Sequence, residues 1–250
     1  MTSTVLITGG GSKRGIGRAT ALRFAALGYA VAILDLDTAG AEETAREATA
    51  AGSPAVFAEH VDVTDQPSVT AAVRAAETAL PPVTVLANIA GISSPTRFEN
   101  ITLEEWERIF AVNVRGTFLV TQAVLPGLRE RGYGRIVNMS SVSGQRGGGV
   151  FGASHYAASK AAVLGLTRTL ARETEGQGIT VNAVAPSMVD TDITQGAMTE
   201  DRKAELAATT LLGRLATPAD VAGTIVFLAS PDASYLTGAT IDVNGGSHLH

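Results

Sequence analysis

Short apolar runs alternate with longer amphipathic segments along most of this 250-residue chain. Runs this short predict buried strands, and the segments between them predict helices. Strands that alternate with helices form parallel sheets with right-handed crossovers. We therefore expect an α/β fold in a single domain: a Rossmann-like, doubly wound, seven-stranded parallel sheet flanked by helices. The expected strands are Val5–Thr8, Ala30–Leu34, Ala55–Val61, Val83–Ala87, Gly134–Met139, Ile179–Ala185 and Thr240–Val243.

Helix starts are indicated by side chains that can accept a hydrogen bond from the first free backbone N–H groups. Thr38 is the expected N-cap of the second helix, Asp65 or Thr64 of the third, and Thr217 of the last. The segment 192–210 has the least pattern, which predicts a mobile substrate lid. The expected helices are Arg18–Leu27, Thr38–Ala51, Pro67–Ala79, Leu103–Ala111, Val114–Arg131, Ser154–Glu175 and Pro218–Ala229.

A glycine-rich turn, G-G-G-S-K-R-G-I-G, joins the first strand to the first helix. Glycines allow the backbone to approach a pyrophosphate closely, and a helix N-terminus offers free N–H groups and the positive end of its dipole. Strand, glycine turn and helix together predict a dinucleotide site that uses Gly9, Gly15 and Gly17. A tight loop without a ligand is the alternative. Ser12, Arg14 and Ile16 are further candidates for cofactor contact.

Asp35 ends the second expected strand, about 20 residues past the glycines. A carboxylate there can accept hydrogen bonds from a ribose diol and repels a 2′-phosphate, which favours NAD over NADP. Arg14 favours the opposite choice because it can pair with that phosphate. We weight Asp35 more heavily and expect NAD, with NADP less favoured.

Other candidate cofactor contacts follow the remaining strands, where the carboxyl ends of a parallel sheet form a crevice. Asp62 is placed to meet an adenine amino group and Val63 to flank the ring. Thr191 and Val189 follow a Pro-containing turn and are expected beside the nicotinamide. The complete set is Asp62, Val63, Asn88, Ala90, Gly91, Pro186, Val189 and Thr191.

Tyr156 and Lys160 are four residues apart, so in a helix they lie on one face. A phenol titrates near ~10 and becomes a useful proton carrier at neutral pH when a cation favours its anion. Ser141 or Ser143 upstream can hold an alcohol oxygen by a hydrogen bond. These groups suit carbonyl–alcohol interconversion, although Y-A-A-S-K alone is also an ordinary amphipathic turn. Asn113 is either a structural kink or a polar group that holds water, and we favour the second.

Composition narrows the classes of partner. The net charge is −5 with pI near 5.4, and the basic residues are scattered, which argues against nucleic acid. The sequence has no cysteine, so disulfides and thiolate chemistry are excluded, and no metal site is expected. We see no signal peptide and no apolar run of membrane-spanning length. A cytoplasmic protein without a membrane partner is expected.

Six motifs in order resemble those of the classical short-chain dehydrogenases/reductases along nearly the whole chain. They are T-G-G-G-S-K-R-G-I-G at 8–17, D-V-T-D at 62–65, N-I-A-G at 88–91, V-N-V-R-G-T-F at 112–118, S-S-V-S-G with Y-A-A-S-K, and N-A-V-A-P at 182–186. The resemblance implies a catalytic tetrad. In it Tyr156 is the acid/base, Ser141 polarises the carbonyl, Lys160 lowers the pKa of the phenol and binds the ribose, and Asn113 holds a relay water.

The chain departs from the family pattern at three places. The glycine loop has five residues between T-G and G-I-G where three are usual, and Ile89 replaces the second asparagine of N-N-A-G. The loop between Ser141 and Tyr156 is longer than usual by two residues, so Ser143 competes for the serine role. Ser141 is preferred because it directly follows the strand.

The expected function is hydride transfer between NAD(H) and a small-molecule secondary alcohol or ketone, with polyols or sugar-derived alcohols preferred because of the polar loop 145–149. The alternatives are an NADPH-dependent 3-oxoacyl-[acyl-carrier-protein] reductase and a non-catalytic, nucleotide-sensing protein. Arg97 and Arg146 follow neighbouring strands and are candidates to bind an anionic or hydroxylated substrate. Apolar surface on the two long helices predicts a homo-oligomer, and we expect a homotetramer.

Overall fold

A computed structural model describes residues 3–148, 151–194 and 199–249. Its centre is a seven-stranded, fully parallel sheet in the order β3-β2-β1-β4-β5-β6-β7. The expected Rossmann-like architecture is confirmed. The strands are β1 Thr4–Thr8, β2 Ala30–Asp35, β3 Val56–His60, β4 Val83–Asn88, β5 Gly134–Met139, β6 Ile179–Pro186 and β7 Thr240–Val243.

Helices cover both faces of this sheet. One apolar core lies under α1, α2 and α9, and a second lies under α3, α5 and α7. Val5 and Ile7 of β1 enter the first core and Leu6 enters the second, as expected when successive side chains of a strand alternate between faces. The α-helices are α1 Ile16–Ala26, α2 Thr38–Ala50, α3 Gln66–Ala79, α4 Leu103–Phe110, α5 Thr117–Arg131, α6 Ser143–Arg146, α7 Ser154–Glu173, α8 Glu200–Ala207 and α9 Pro218–Ala229.

The order of the strands reverses between β1 and β4, which opens a crevice at their carboxyl ends. The Thr8 hydroxyl accepts hydrogen bonds from the N–H groups of Ile89, at 3.1 Å, and Ala90, at 3.2 Å. Gly9 has a φ of +77° and touches Ala90 so closely that a Cβ would lie 2.8 Å from its Cα. The two chain segments that follow β1 and β4 are therefore held against each other at the crevice.

Most expected elements are present, and the N-cap of the second helix is corrected. Asp37, not Thr38, is the N-cap of α2, because its carboxylate accepts the N–H of Gly40 at 3.1 Å. Asp65 caps α3 and Thr217 caps α9, as predicted. The region around Asn113 is a π-helical turn, Ala111–Gly116, that joins α4 to α5.

The helix Leu103–Arg131 contains an 18-residue window with a mean hydropathy of 1.3, which is long and apolar enough to cross a membrane by length and composition alone. Leu119, Val120, Val124 and Leu128 on this helix are buried in the core shared with α3. A buried helix of a globular fold passes the same length and hydropathy test, and the contacts of α5 are of that kind.

The described part of the expected lid contains helical structure. It begins with a 3₁₀ turn, Asp192–Thr194, and includes α8, which Thr199 caps. Residues 195–198 of the lid, and Gly149 of the polar loop 145–149, lie outside the described residues.

Candidate active site

Tyr156 and Lys160 lie on the first turns of α7, as their spacing predicted. The ammonium nitrogen of Lys160 is 5.8 Å from the centroid of the Tyr156 ring. It donates a hydrogen bond to the carbonyl oxygen of Met139, the last residue of β5, at 2.9 Å. Lys160 is buried, with 3% of its surface exposed. The helix and the strand end are thus joined through this one side chain.

Ser141 reaches the same place from the loop after β5. Its hydroxyl interacts with the phenol of Tyr156 and lowers the pKa of that phenol. It donates to the carbonyl of Pro186 at 3.5 Å and accepts the N–H of Ser143 at 3.1 Å. Ser143 opens the short helix α6 and is only half-buried. Ser141 is therefore the serine that the fold places on Tyr156.

Burial controls the protonation of this group. It lowers the pKa of Lys160 from 10.5 to about 8, since an ammonium loses hydration in the protein interior. Burial also raises the pKa of Tyr156, and the interaction with Ser141 only partly offsets that increase. The net shift of the Tyr156 pKa is therefore upward, and the lowering that we expected from Lys160 stays a prediction. The ammonium faces Met139 as well as the ring, and burial disfavours both charged forms.

Asn113 is buried in the π-helical turn, and both Oδ1 and Nδ2 of its side chain are hydrogen-bonded. Its Oδ1 accepts the N–H of Ile92 at 2.9 Å, and its Nδ2 donates to the carbonyl of Ile92 and the hydroxyl of Ser159, both at 3.0 Å. Ser159 in turn donates to the carbonyl of Tyr156 at 2.7 Å. These bonds give the side chain a structural role, and its role in holding a water stays a prediction, since Oδ1 accepts one hydrogen bond and has a second lone pair.

Three glycines fit closely around these groups. A Cβ on Gly91 would lie 3.2 Å from Oδ1 of Asn113 and 3.3 Å from Nζ of Lys160. Gly152 lies against the ring of Tyr156, and Gly144 against the backbone of Lys160, so closely that neither has room for a side chain. Gly144 and Gly152 were missed from the sequence. Their signal was the glycine-rich loop between Ser141 and Tyr156, which we interpreted only by its polarity.

Of the predicted glycines, Gly9 and Gly17 are in mutual contact, since a Cβ on Gly17 would collide with the carbonyl of Gly9. Gly15 precedes α1 as its N-cap without a side-chain acceptor, and Ile16 is the first helical residue. This leaves the first N–H groups of α1 at the crevice, where a phosphate could take them. The glycine turn fits a dinucleotide on this ground.

Asp35 lies at the end of β2 beside the glycine turn. Its Oδ2 accepts the N–H of Gly11 at 2.7 Å, and its Oδ1 accepts the N–H of Asp37 at 2.9 Å. Each carboxylate oxygen has a further lone pair, so the side chain can still accept from a ribose hydroxyl.

Arg14 and Ser12 of the glycine turn contact the segment after β6. The guanidinium of Arg14 forms ion pairs with Asp190, at 2.7 Å, and with Asp192, at 3.3 Å. The hydroxyl of Ser12 and the backbone N–H of Arg14 donate to Asp192 at 3.0 and 2.9 Å. No feature of the sequence indicated these contacts, which join residues far apart in the chain.

The remaining predicted contacts divide into two groups. Asp62 holds the N–H and hydroxyl of Thr64, which lowers the pKa of the carboxyl, and Val63 packs on Gly116. Val189 and Thr191 are buried just after β6, whose last residue, Pro186, bonds to the loop of Ser141 through its carbonyl. These four residues and Pro186, with Ala90, remain next to strand ends that border the crevice.

The contacts of Asn88 and of the two substrate-loop arginines with a ligand stay predictions. The side-chain amide of Asn88 donates to Thr121 and Asn138, both at 2.9 Å, inside the core. Arg146 donates to the carbonyl of Ser247 at 3.0 Å, and Arg97 is exposed. Within the described ranges, no hydrogen bond connects either arginine to the tetrad.

Comparisons with known proteins agree with this fold. A sequence model for a family described as Enoyl-(Acyl carrier protein) reductase matches residues 9–248. The chain is 43% identical to an uncharacterised short-chain type dehydrogenase/reductase of Sinorhizobium fredii, covering 99% of this chain and 98% of the relative. It is 41% identical to a (3R)-3-hydroxyacyl-CoA dehydrogenase of Mus musculus, over 96% of this chain and 94% of the relative.

Among solved structures, a 3-oxoacyl-[acyl-carrier protein] reductase from Brucella melitensis superposes with a TM-score of 0.92 at 36% identity, covering 99% of this chain and 92% of the other. Such coverage and identity extend over the whole domain and include every motif described above. This family uses a nicotinamide dinucleotide and acts on CH–OH or keto groups. The chain belongs to the short-chain dehydrogenase/reductase family.

Proposed function

We propose that this enzyme transfers a hydride between NAD(H) and a secondary alcohol or ketone, with Tyr156 as the group that exchanges the proton. The observation that carries the proposal is the placement of Nζ of Lys160 5.8 Å from the ring of Tyr156, with the hydroxyl of Ser141 close enough to the phenol to lower its pKa. A substrate oxygen placed between the serine and the phenol would meet two hydroxyl groups at once. That is what polarising a carbonyl and delivering a proton to it requires.

When bound, the nicotinamide ring supplies or accepts the hydride. In the reductive direction Tyr156 donates its proton to the new alkoxide, and its raised pKa keeps the phenol protonated at neutral pH. In the oxidative direction Tyr156 has to be a phenolate before it can accept the proton of the alcohol, and the nearby ammonium of Lys160 would stabilise that phenolate. Asn113 positions Tyr156 through Ser159, whose hydroxyl accepts from the Asn113 amide and donates to the carbonyl of Tyr156.

Two features support NAD as the cofactor. Asp35 places a carboxylate at the end of β2, where it can accept from a ribose diol and would repel a 2′-phosphate. Arg14, the residue that could bind that phosphate, already pairs with Asp190 and Asp192. NADP has to overcome both the anionic side chain and the loss of these ion pairs.

The substrate class has two candidates. Polyols or sugar-derived alcohols follow from the polar loop after Ser141. The second candidate is a 3-hydroxyacyl or 3-oxoacyl thioester, which is favoured by the names of three relatives: the mouse (3R)-3-hydroxyacyl-CoA dehydrogenase, an acetoacetyl-CoA reductase of Rhizobium meliloti and the Brucella reductase. We propose the thioester as the first substrate to test, in either redox direction.

We further propose a cytoplasmic homotetramer without nucleic-acid or membrane partners. The net charge of −5 and the packing of Leu103–Arg131 on the sheet support the last two points. A nucleotide sensor without catalysis is the alternative of another class, and a site that assembles serine, phenol and ammonium together argues against it.

The test is absorbance at 340 nm with purified enzyme and four cofactor forms, NAD, NADP, NADH and NADPH. Each is combined with acetoacetyl-CoA, 3-hydroxybutyryl-CoA and a polyol panel in the matching direction. The proposal expects turnover with NAD(H) and one substrate class. Dinucleotide binding without turnover of any secondary alcohol or ketone would favour the sensor.

A further inference from the structure

The glycine turn holds a carboxylate from its own chain in the geometry of a bound anion. The hydroxyl of Ser12, at 3.0 Å, and the backbone N–H of Arg14, at 2.9 Å, both donate to Oδ2 of Asp192. Nε of Arg14 lies 3.3 Å from the other oxygen, Oδ1. A hydroxyl, a backbone amide and a guanidinium are the donors with which proteins bind phosphate oxygens.

The location of this contact is as informative as its donors. The turn leads directly into α1, whose N-cap, Gly15, offers no side-chain acceptor, so the positive end of the helix dipole faces the same region. Asp192 belongs to the 3₁₀ turn after β6 and is 178 residues from Arg14 in the sequence. Its side chain is 47% exposed, so the contact is not required to fill the core.

We propose that Asp192 is an internal competitor for the phosphates of the cofactor, and that it must leave the glycine turn when they bind. This inference rests on the proposed function, because it assumes that the turn binds a dinucleotide. The carboxylate and a phosphate need the same donors on Ser12 and Arg14, and two anions cannot share them without repulsion. Asp192 would therefore weaken the affinity for the cofactor in exchange for holding the start of the lid on the free enzyme.

Asp190 provides a matched control two residues away. Its carboxylate pairs with Nη2 of Arg14 at 2.7 Å and with Lys203 of α8 at 3.2 Å. In the described ranges it has no hydrogen bond to Ser12 or to the backbone N–H of Arg14. Asp190→Asn therefore removes the same charge from the same arginine without vacating the anion position.

The experiment measures dissociation constants by isothermal titration for the wild type, Asp192→Asn and Asp190→Asn. The probes are NAD, inorganic pyrophosphate and adenosine, and thermal melting verifies that each variant is folded. Release of an exposed charged contact is worth a few-fold in affinity, so Asp192→Asn is expected to bind NAD and pyrophosphate about three- to tenfold more tightly. Asp190→Asn is expected to change the dissociation constants for NAD and pyrophosphate by less than about twofold. Adenosine, which has no phosphate, is expected to bind all three proteins equally.

Equal gains in the two variants would assign the effect to net charge and overturn the inference. So would unchanged or weaker pyrophosphate binding by Asp192→Asn. If Asp192→Asn binds pyrophosphate more tightly than Asp190→Asn does, but no protein binds NAD, the proposed cofactor is wrong. The inference that Asp192 competes with an anion for the glycine turn is then still supported. If NAD is bound and turned over but neither probe separates the variants, the enzyme function stands and Asp192 is not a competitor.

Discussion

Lys160 donates a hydrogen bond to the carbonyl of Met139 at 2.9 Å from a site where only 3% of its surface is exposed. Its lowered pKa, about 8 against 10.5, means that the folded protein binds fewer protons than the unfolded chain between these two values. The free energy of unfolding therefore rises with pH across that window, and the cost of charging Lys160 is present in full below about pH 8.

Lys160→Met is expected to abolish activity and yet to stabilise the cofactor-free protein. Charging the buried lysine destabilises the folded protein by up to about 3 kcal/mol at neutral pH, and the substitution removes this cost. The substitution also removes the hydrogen bond to Met139, which destabilises the folded protein by about 1–2 kcal/mol. The net gain of about 1–2 kcal/mol at pH 7 should shrink as the pH rises from 8 toward 10.5. Urea unfolding at several pH values measures it.

Lys203→Met is the control for this substitution, because Lys203 pairs with Glu200 and Asp190 and its pKa is raised. It should not stabilise the protein at any pH between 7 and about 10. A Lys160→Met variant that is less stable than the wild type at pH 7 would show that burial of this ammonium is not costly.

Asp35→Ala is expected to reduce the preference for NAD over NADP by about tenfold or more, since it removes the carboxylate that would face the 2′ position. The measurement is kcat/KM for both cofactors. Asp37→Asn is the matched control: it neutralises a nearby charge and keeps a side-chain acceptor for the α2 cap. A wild-type enzyme that prefers NADP would show that Lys13 and Arg14 outweigh Asp35.

Ser141→Ala and Ser143→Ala should differ strongly. The hydroxyl of Ser141 interacts with the phenol of Tyr156, so its loss should lower kcat about 10²-fold, as for removal of one oxyanion donor. Ser143→Ala should change kcat by less than about threefold, because the contact of Ser143 with Ser141 uses its backbone N–H. A larger loss of kcat in Ser143→Ala would show that Ser143, not Ser141, binds the substrate oxygen.

Light scattering at micromolar concentration should show an oligomer with the mass of a tetramer. The long helices carry exposed apolar side chains, among them Leu103 and Phe118, that a partner subunit would cover. Phe118→Glu should lower the mass, whereas Leu36→Glu, at an exposed position after β2, should not. A monomeric wild type would contradict the account of these helices.

The strands and the Tyr156–Lys160 pair were predictable because each depends on local pattern. A short apolar run between turn residues specifies a buried strand such as β5, whose bounds matched the prediction. A spacing of four residues on a helix fixes the relative direction of two side chains. The N-cap of α2 was misassigned because Asp37 and Thr38 are adjacent and both can cap; only the position of Gly40 decides between them.

Contacts between residues far apart in the chain could not be predicted from the sequence pattern. The π-helical turn at Asn113 depends on Ile92 and Ser159, which meet the amide only in the fold. Asn88 ends a strand where a ligand contact is plausible, but Asn138 of the neighbouring strand takes its amide into the core. Asp192 reaches the glycine turn from a segment with no periodic pattern.

The central claim is that Tyr156 exchanges the proton in the redox reaction, and Tyr156→Phe tests it most directly. This substitution keeps the ring against Gly152 and removes only the phenol hydroxyl. With the best substrate found, kcat/KM should fall by about 10²–10⁴-fold while the dissociation constant for NAD stays within about threefold of the wild type. A variant that retains more than about a tenth of the wild-type kcat/KM would contradict the claim.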